Sequence, residues 1–190
     1  MWLTSRKTAT RVRDGEVQRK NRHGRTPWSS AFIVREAPRE GSRHVLTARH
    51  VRDFLELLPA ELLEGIDQVL LDRATHLLGW CRHGIVALCA WPRELWTVWP
   101  ADWLDDHRTS LELYGVPIVL QHGWFRCEFT EPQVRAFQLL RVLTHELGHH
   151  ADLMATRSKR FGHGERHAER FAIDWEQRLW ADYVDVFGWP

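Results

Sequence analysis

No proline or glycine interrupts the chain from Gln133 to Leu147. The stretch ahead of it, Thr130-Glu131-Pro132, has the order of an N-cap, an acidic first-turn residue and a first-turn proline. The spacing predicts a long helix there, and the rest of the chain must fold around it. With Phe137 at zero and 100° per residue, Leu140, Leu143, Leu147 and Ala151 fall at about 240° to 320°, whereas His145 and His149 fall at about 80° and 120°. One face is expected to pack and another to coordinate. In His145-Glu146-Leu147-Gly148-His149, two imidazoles four residues apart reach a common point and Glu146 stands beside it. Neutral imidazoles hold Zn2+ without cancelling its charge. The ion lowers the pKa of a bound water toward ~7, and Glu146 is placed to take the proton as general base.

A length of 190 residues with 44% hydrophobic content suits one core, with room for an appendage. The longest apolar runs, such as residues 84 to 91, are too short to cross a bilayer, and the N-terminus lacks an apolar signal segment. A cytoplasmic protein without a membrane partner is therefore expected. Cys81, Cys89 and Cys127 are odd in number, lack metal-ligand spacing and read as buried thiols rather than a disulfide framework. Trp2, Trp80, Trp91, Trp96, Trp99 and Trp103, among eleven tryptophans, read as core or groove walls. The net charge of +1 hides an asymmetry: residues 1 to 44 carry eleven Lys/Arg against four Asp/Glu, so residues 45 to 190 carry −6. A basic arm, 1–44, is thus expected on an acidic domain, 45–190.

Within the arm, residues 10 to 19 alternate around Asp14-Gly15, which predicts a β-hairpin. Residues 20 to 25 form a basic loop and 31 to 34 a short strand candidate. Such an arm can touch nucleic acid, or it can be a solvated hairpin covering a sheet edge. Thr47 is the expected N-cap of a helix with Val51, Phe54, Leu55 and Leu58 on one face, followed by a helical turn at 60 to 64. Strands are expected at 66–71, 85–91, 116–120 and 124–129. The last, directly before the motif helix, is a candidate for a sheet edge to which a peptide adds. Residues 93 to 115 are ambiguous, with 99–103 reading as a loop. A final helix starts near Glu165 and packs through Ala168, Phe171, Ala172, Trp175 and Leu179.

A third metal ligand is expected from this last helix. A metzincin would need Gly at 152 and His at 155, where this chain has Asp152 and Ala155. Glu169 lies twenty residues after His149, and His163 and His167 compete with it as ligands. His145-Glu146-Leu147-Gly148-His149 together with Ala168-Glu169-Arg170-Phe171-Ala172 resembles the gluzincins, the zincin metallopeptidases with a downstream glutamate ligand, over about residues 45 to 183. A SprT-like zincin, with a third histidine, is the alternative. The resemblance implies an α+β, zincin-like fold: a small mixed or antiparallel sheet packed on the motif helix and a C-terminal glutamate helix. It implies one Zn2+ per chain on His145, His149 and Glu169, with Glu146 as general base. It also implies an acidic residue four positions after the glutamate ligand to orient a histidine; that position is Ile173, and Asp152 or Asp174 can stand in. His163, His167 and Tyr183 are candidates to stabilise the oxyanion. The expected function is hydrolysis of a peptide or protein substrate. The alternatives are a zincin-fold regulatory or binding module with little proteolysis, and a nucleic-acid-associated protease served by the arm.

Overall fold

The computed structural model describes residues 11–13, 16–18, 33–73, 76–156 and 164–190. The first two stretches are strands β1 (Arg11–Arg13) and β2 (Glu16–Gln18), paired antiparallel with Val12 opposite Val17, as the Asp-Gly alternation predicts. The basic loop and His163 lie outside the described residues.

β3 (Ile33–Arg35) and β4 (Ser42–Arg43) precede α1 (Ala48–Leu55). Thr47 Oγ1 accepts the His50 amide, and the His50 side chain returns the bond to the Thr47 amide, which fixes where α1 begins. Val51, Phe54 and Leu55 are its buried face. A 3-10 turn at Ala60–Leu63 leads to β5 (Gln68–Asp72), β6 (Gly79–Arg82) and β7 (Ile85–Cys89). These build a mixed sheet in the order β3-β5-β7-β6, parallel except for β6. Residues 33–35, grouped by charge with the arm, are hydrogen-bonded into this sheet. β4 pairs with β8 (Trp91–Pro92), and Arg43 reaches Glu131 at 2.7 Å.

Residues 93 to 115 resolve into β9 (Trp96–Trp99) and α2 (Ala101–Leu113), which corrects the expectation of a loop at 99–103. Pro100 stands at the N-cap and Asp102 in the first turn. β10 (Ile118–Gln121) and β11 (Trp124–Glu128) complete a second, antiparallel sheet in the order β10-β11-β9. β11 is therefore central, not at an edge. Among the described strands, the edge beside the motif helix belongs to β6.

The helix predicted from Thr130 onward exists but changes pitch. α3 (Glu131–Ala136), capped by Thr130 and Gln133 in a reciprocal box, runs into π-helical turns at Phe137–Leu143 and then into α4 (Thr144–Thr156). All seven π residues are buried, so this segment is wrapped by the molecule rather than lying on it with one face in water. Trp91, Trp99 and Phe129 pack around Phe137. The chain ends in α5 (Gly164–Phe187). The architecture is α+β, with two small sheets against one central helix. Among the described residues no helix is long and apolar enough to cross a membrane.

Candidate metal centre

α4 crosses α5 where Gly148 meets Ala168: a Cβ on Gly148 would lie 2.9 Å from the Ala168 Cα and 3.1 Å from the Phe171 Cβ. The absence of a side chain lets the helices touch, and their contact brings the first turns of α5 over His145 and His149. On the other side β6 is equally tight, because a Cβ on Gly79 would lie 2.7 Å from Val142 Cγ1 and 3.1 Å from Glu146 Cγ. Two glycines thus press a helix and a strand onto the motif from opposite flanks.

The two motif histidines converge. His145 Nε2 and His149 Nε2 are 3.1 Å apart, and Glu165 Oε2 lies 3.2 Å from the first and 3.5 Å from the second. These three groups can hold a metal ion. A tetrahedral ion with bonds of 2.0–2.1 Å spaces its ligand atoms by about 3.3 Å, so the observed separations fit zinc closely. Lone pairs of neutral imidazoles aimed at each other at 3.1 Å repel unless a cation or proton lies between them. Burial works against the charged form of His145, but the hydrogen bond to Glu169 and the charges of Glu146, Glu169 and Glu165 raise its pKa. Burial and the neighbouring His145 charge hold that of His149 down.

Glu169 sits one turn further along α5 and does something different. Its Oε2 accepts from His145 Nδ1 at 3.3 Å and its Oε1 accepts from Arg141. Burial is outweighed by these two partners, and its carboxyl is held down at about 2. A fixed carboxylate on Nδ1 leaves Nε2 of His145 as the nitrogen that could hold a metal. Arg141, 2% exposed in the π turns, also faces Glu176, with its Nη1 3.8 Å from Oε2. Glu176 in turn accepts from Ser110 at 2.7 Å and from Tyr114. A buried chain of polar groups from α2 through the π turns to α5 therefore ends on His145.

Glu146 is 7% exposed, and burial pushes its carboxyl up to about 7, with His145 opposing and Glu165 adding to the shift. Arg141, His145, Glu146, His149, Glu165 and Glu169 open on a cleft of about 1190 Å³ that is also lined by residues 79–81 of β6, the 76–78 loop, Trp99, Trp103 and His107. Ile173 and the exposed Asp174 line it as well. His167 and Tyr183 do not: His167 packs 6.3 Å from the Phe171 ring, and Tyr183 is fully buried against Phe187. Asp152 is buried near His149, where its charge raises the histidine's pKa, but it does not line the cleft.

Glu165, Arg141 and the α2 residues were not singled out by the sequence. Glu165 and Glu169 are four residues apart, so they share one face of α5. The α2 residues were signalled by Pro100, by Asp102 and by the lack of any proline or glycine from 101 to 114. No protein family, curated protein or solved structure significantly matches this chain.

Proposed function

We propose that the chain is a zinc-dependent metallopeptidase of minimal gluzincin type, with zinc held by His145, His149 and Glu165. The observation that carries this reading is the triangle of ligand atoms at 3.1, 3.2 and 3.5 Å. In this reading Glu165 and Glu169 take the ligand and orienting roles that the resemblance gave to Glu169 and position 173. Three protein donors leave a fourth position open, as in catalytic rather than structural sites. Zinc bound there supplies a Lewis acid and a water of lowered pKa.

The chain's own groups do the rest. Glu146, buried beside the ligands with its pKa pushed up to about 7, accepts a proton from the attacking water and returns it to the leaving amine. Arg141 keeps Glu169 charged, and Glu169 keeps His145 in the tautomer that ligates. β6 is an edge strand among the described strands and its residues 79–81 line the cleft, so an extended peptide can add there as one more strand with its scissile bond over the histidines.

Elemental analysis of purified, zinc-supplemented protein is expected to give about one zinc per chain. Glu146→Gln should keep the metal and lose hydrolysis by a factor of about 10² or more. A chain that cannot be loaded with zinc refutes the reading. Loading without cleavage of any peptide in a degenerate library would favour a binding module on the same scaffold.

A further inference from the structure

Trp99 closes β9, and Trp103 and His107 stand four residues apart on α2, so the rings of those two leave the helix on one side. They form a continuous stack. Trp99 and Trp103 have centroids 3.8 Å apart at 21°, and Trp103 and His107 have centroids 3.8 Å apart at 5°. Phe137, fully buried, lies about them with its ring 6.1 Å from Trp103 and 5.9 Å from His107, so the stack is held from the core side. His107 Nδ1 donates to the Trp103 carbonyl at 2.9 Å, which fixes the last ring of the three. Yet all three remain only partly buried, and all three line the cleft that contains His145, Glu146, His149 and Glu165.

Leu77, 46% exposed, and Leu78 line the same cleft. A polar centre needs no such surroundings to bind an ion and a water, and a volume of about 1190 Å³ is larger than either requires. A rigid wall of aromatic rings and leucines left open beside polar chemistry marks where part of a ligand is buried. Aromatic rings prefer to meet this kind of wall edge-on or offset, which adds to plain area burial.

We propose that Trp99, Trp103 and His107, with Leu77 and Leu78, form a specificity subsite that takes a large apolar, above all aromatic, side chain of the peptide bound at the metal centre. The proposal rests on the metallopeptidase reading. It makes Trp103, the middle ring, a specificity residue for that reaction, with no part in the proton transfers.

Amino-acid hydroxamates test it without requiring turnover, because the hydroxamate chelates the metal while the side chain probes the neighbouring surface. On the full zinc-loaded chain, calorimetry is expected to show phenylalanine hydroxamate binding about tenfold or more tighter than alanine hydroxamate. Trp103→Ala should erase most of that margin and leave the alanine compound within about twofold of its original affinity. Leu77→Asp, at an exposed position that does not endanger folding, should shrink the margin in the same way and decides the matter if Trp103→Ala fails to fold. Equal affinities for the two compounds on zinc-loaded wild type, or a margin that survives both variants, overturn the subsite and leave the metal centre standing. Failure to take up zinc, measured on the same sample, overturns the centre and the subsite with it. Binding of neither compound to a chain that holds zinc overturns the open coordination position, and again the subsite.

Discussion

Glu165 and Glu169 show how much a single turn of helix decides. Both are acidic, both stand near His145, and they lie on one face of α5; only their partners separate them. Glu169 is fully engaged by Arg141 and His145 Nδ1, whereas the Glu165 side chain is 83% exposed and has its carboxylate at the two Nε2 atoms. Glu169→Gln is therefore expected to weaken zinc binding by about 10- to 100-fold, the usual cost of losing a group that orients a ligand. Glu165→Gln should weaken it further. Competition with a zinc chelator measures both, and the reverse order would give the ligand role to Glu169. The His145 and His149 pairing was legible because four-residue spacing on a helix is fixed by geometry alone. Glu165 was not, because nothing in a sequence says which turn of a second helix will cross the first.

Among elements, the crossing of α4 and α5 is the joint on which the site depends. Ala at position 148 gains about 1 kcal/mol of helix propensity over Gly. Its Cβ would lie 2.9 Å from the Ala168 backbone, and forced overpacking of this kind costs about 1–3 kcal/mol. The contact with backbone cannot be relieved by a side-chain rotation, so the second effect wins. Gly148→Ala should lower the melting temperature of the metal-free chain and also weaken zinc binding, since Glu165 and Glu169 ride on the displaced helix; a rise in melting temperature would contradict this. The motif helix itself was legible from its cap and its uninterrupted length. Its phase was not: regular 100° steps from Phe137 fail across seven π-helical residues, which is why Arg141 and Gln138 are as buried as Leu139 and Leu140. α2 was hidden by Trp99, Pro100 and Trp103 around its start, which read as loop until Pro100 is seen to cap a helix. β6 was hidden by its shortness, and β11 looked like an edge only because chain order does not reveal sheet order.

For the molecule as a whole, stability carries a trace of the buried polar chain. Burial holds the Glu176 carboxyl above its ordinary value of 4.5, although Tyr114, Arg141 and Ser110 pull the other way. The folded state therefore holds this proton more tightly than the unfolded state. Its contribution is fully present below pH 4.5 and is lost as pH rises through the raised value. Glu176→Gln, which cannot ionise, escapes that loss. The melting temperature of the variant relative to wild type should climb as pH rises above 4.5, and a difference independent of pH there would contradict the raised value. At this scale the α+β class was legible, because strand patterns and two helices could be read in order. The boundary of the acidic domain was less so: charge groups residues 33–43 with the basic arm, but hydrogen bonds to β5 and β8 tie them to the body.

The π turns at Phe137–Leu143 make chain length itself a working part of the site. Each π hydrogen bond closes over one residue more than an α bond does. The Thr130 cap fixes one end of the segment and the contacts of α4 with α5 and β6 fix the other, so the number of residues between them sets the rotation at which His145 emerges. Ordinary pitch over the same seven residues would turn both histidines away from Glu165, whereas loss of one residue would let the helix relax to ordinary pitch with His145 and His149 emerging at nearly the same rotation. A relative without the π turns should therefore differ by a one-residue deletion between the cap and the first histidine, with the crossing of the second helix kept.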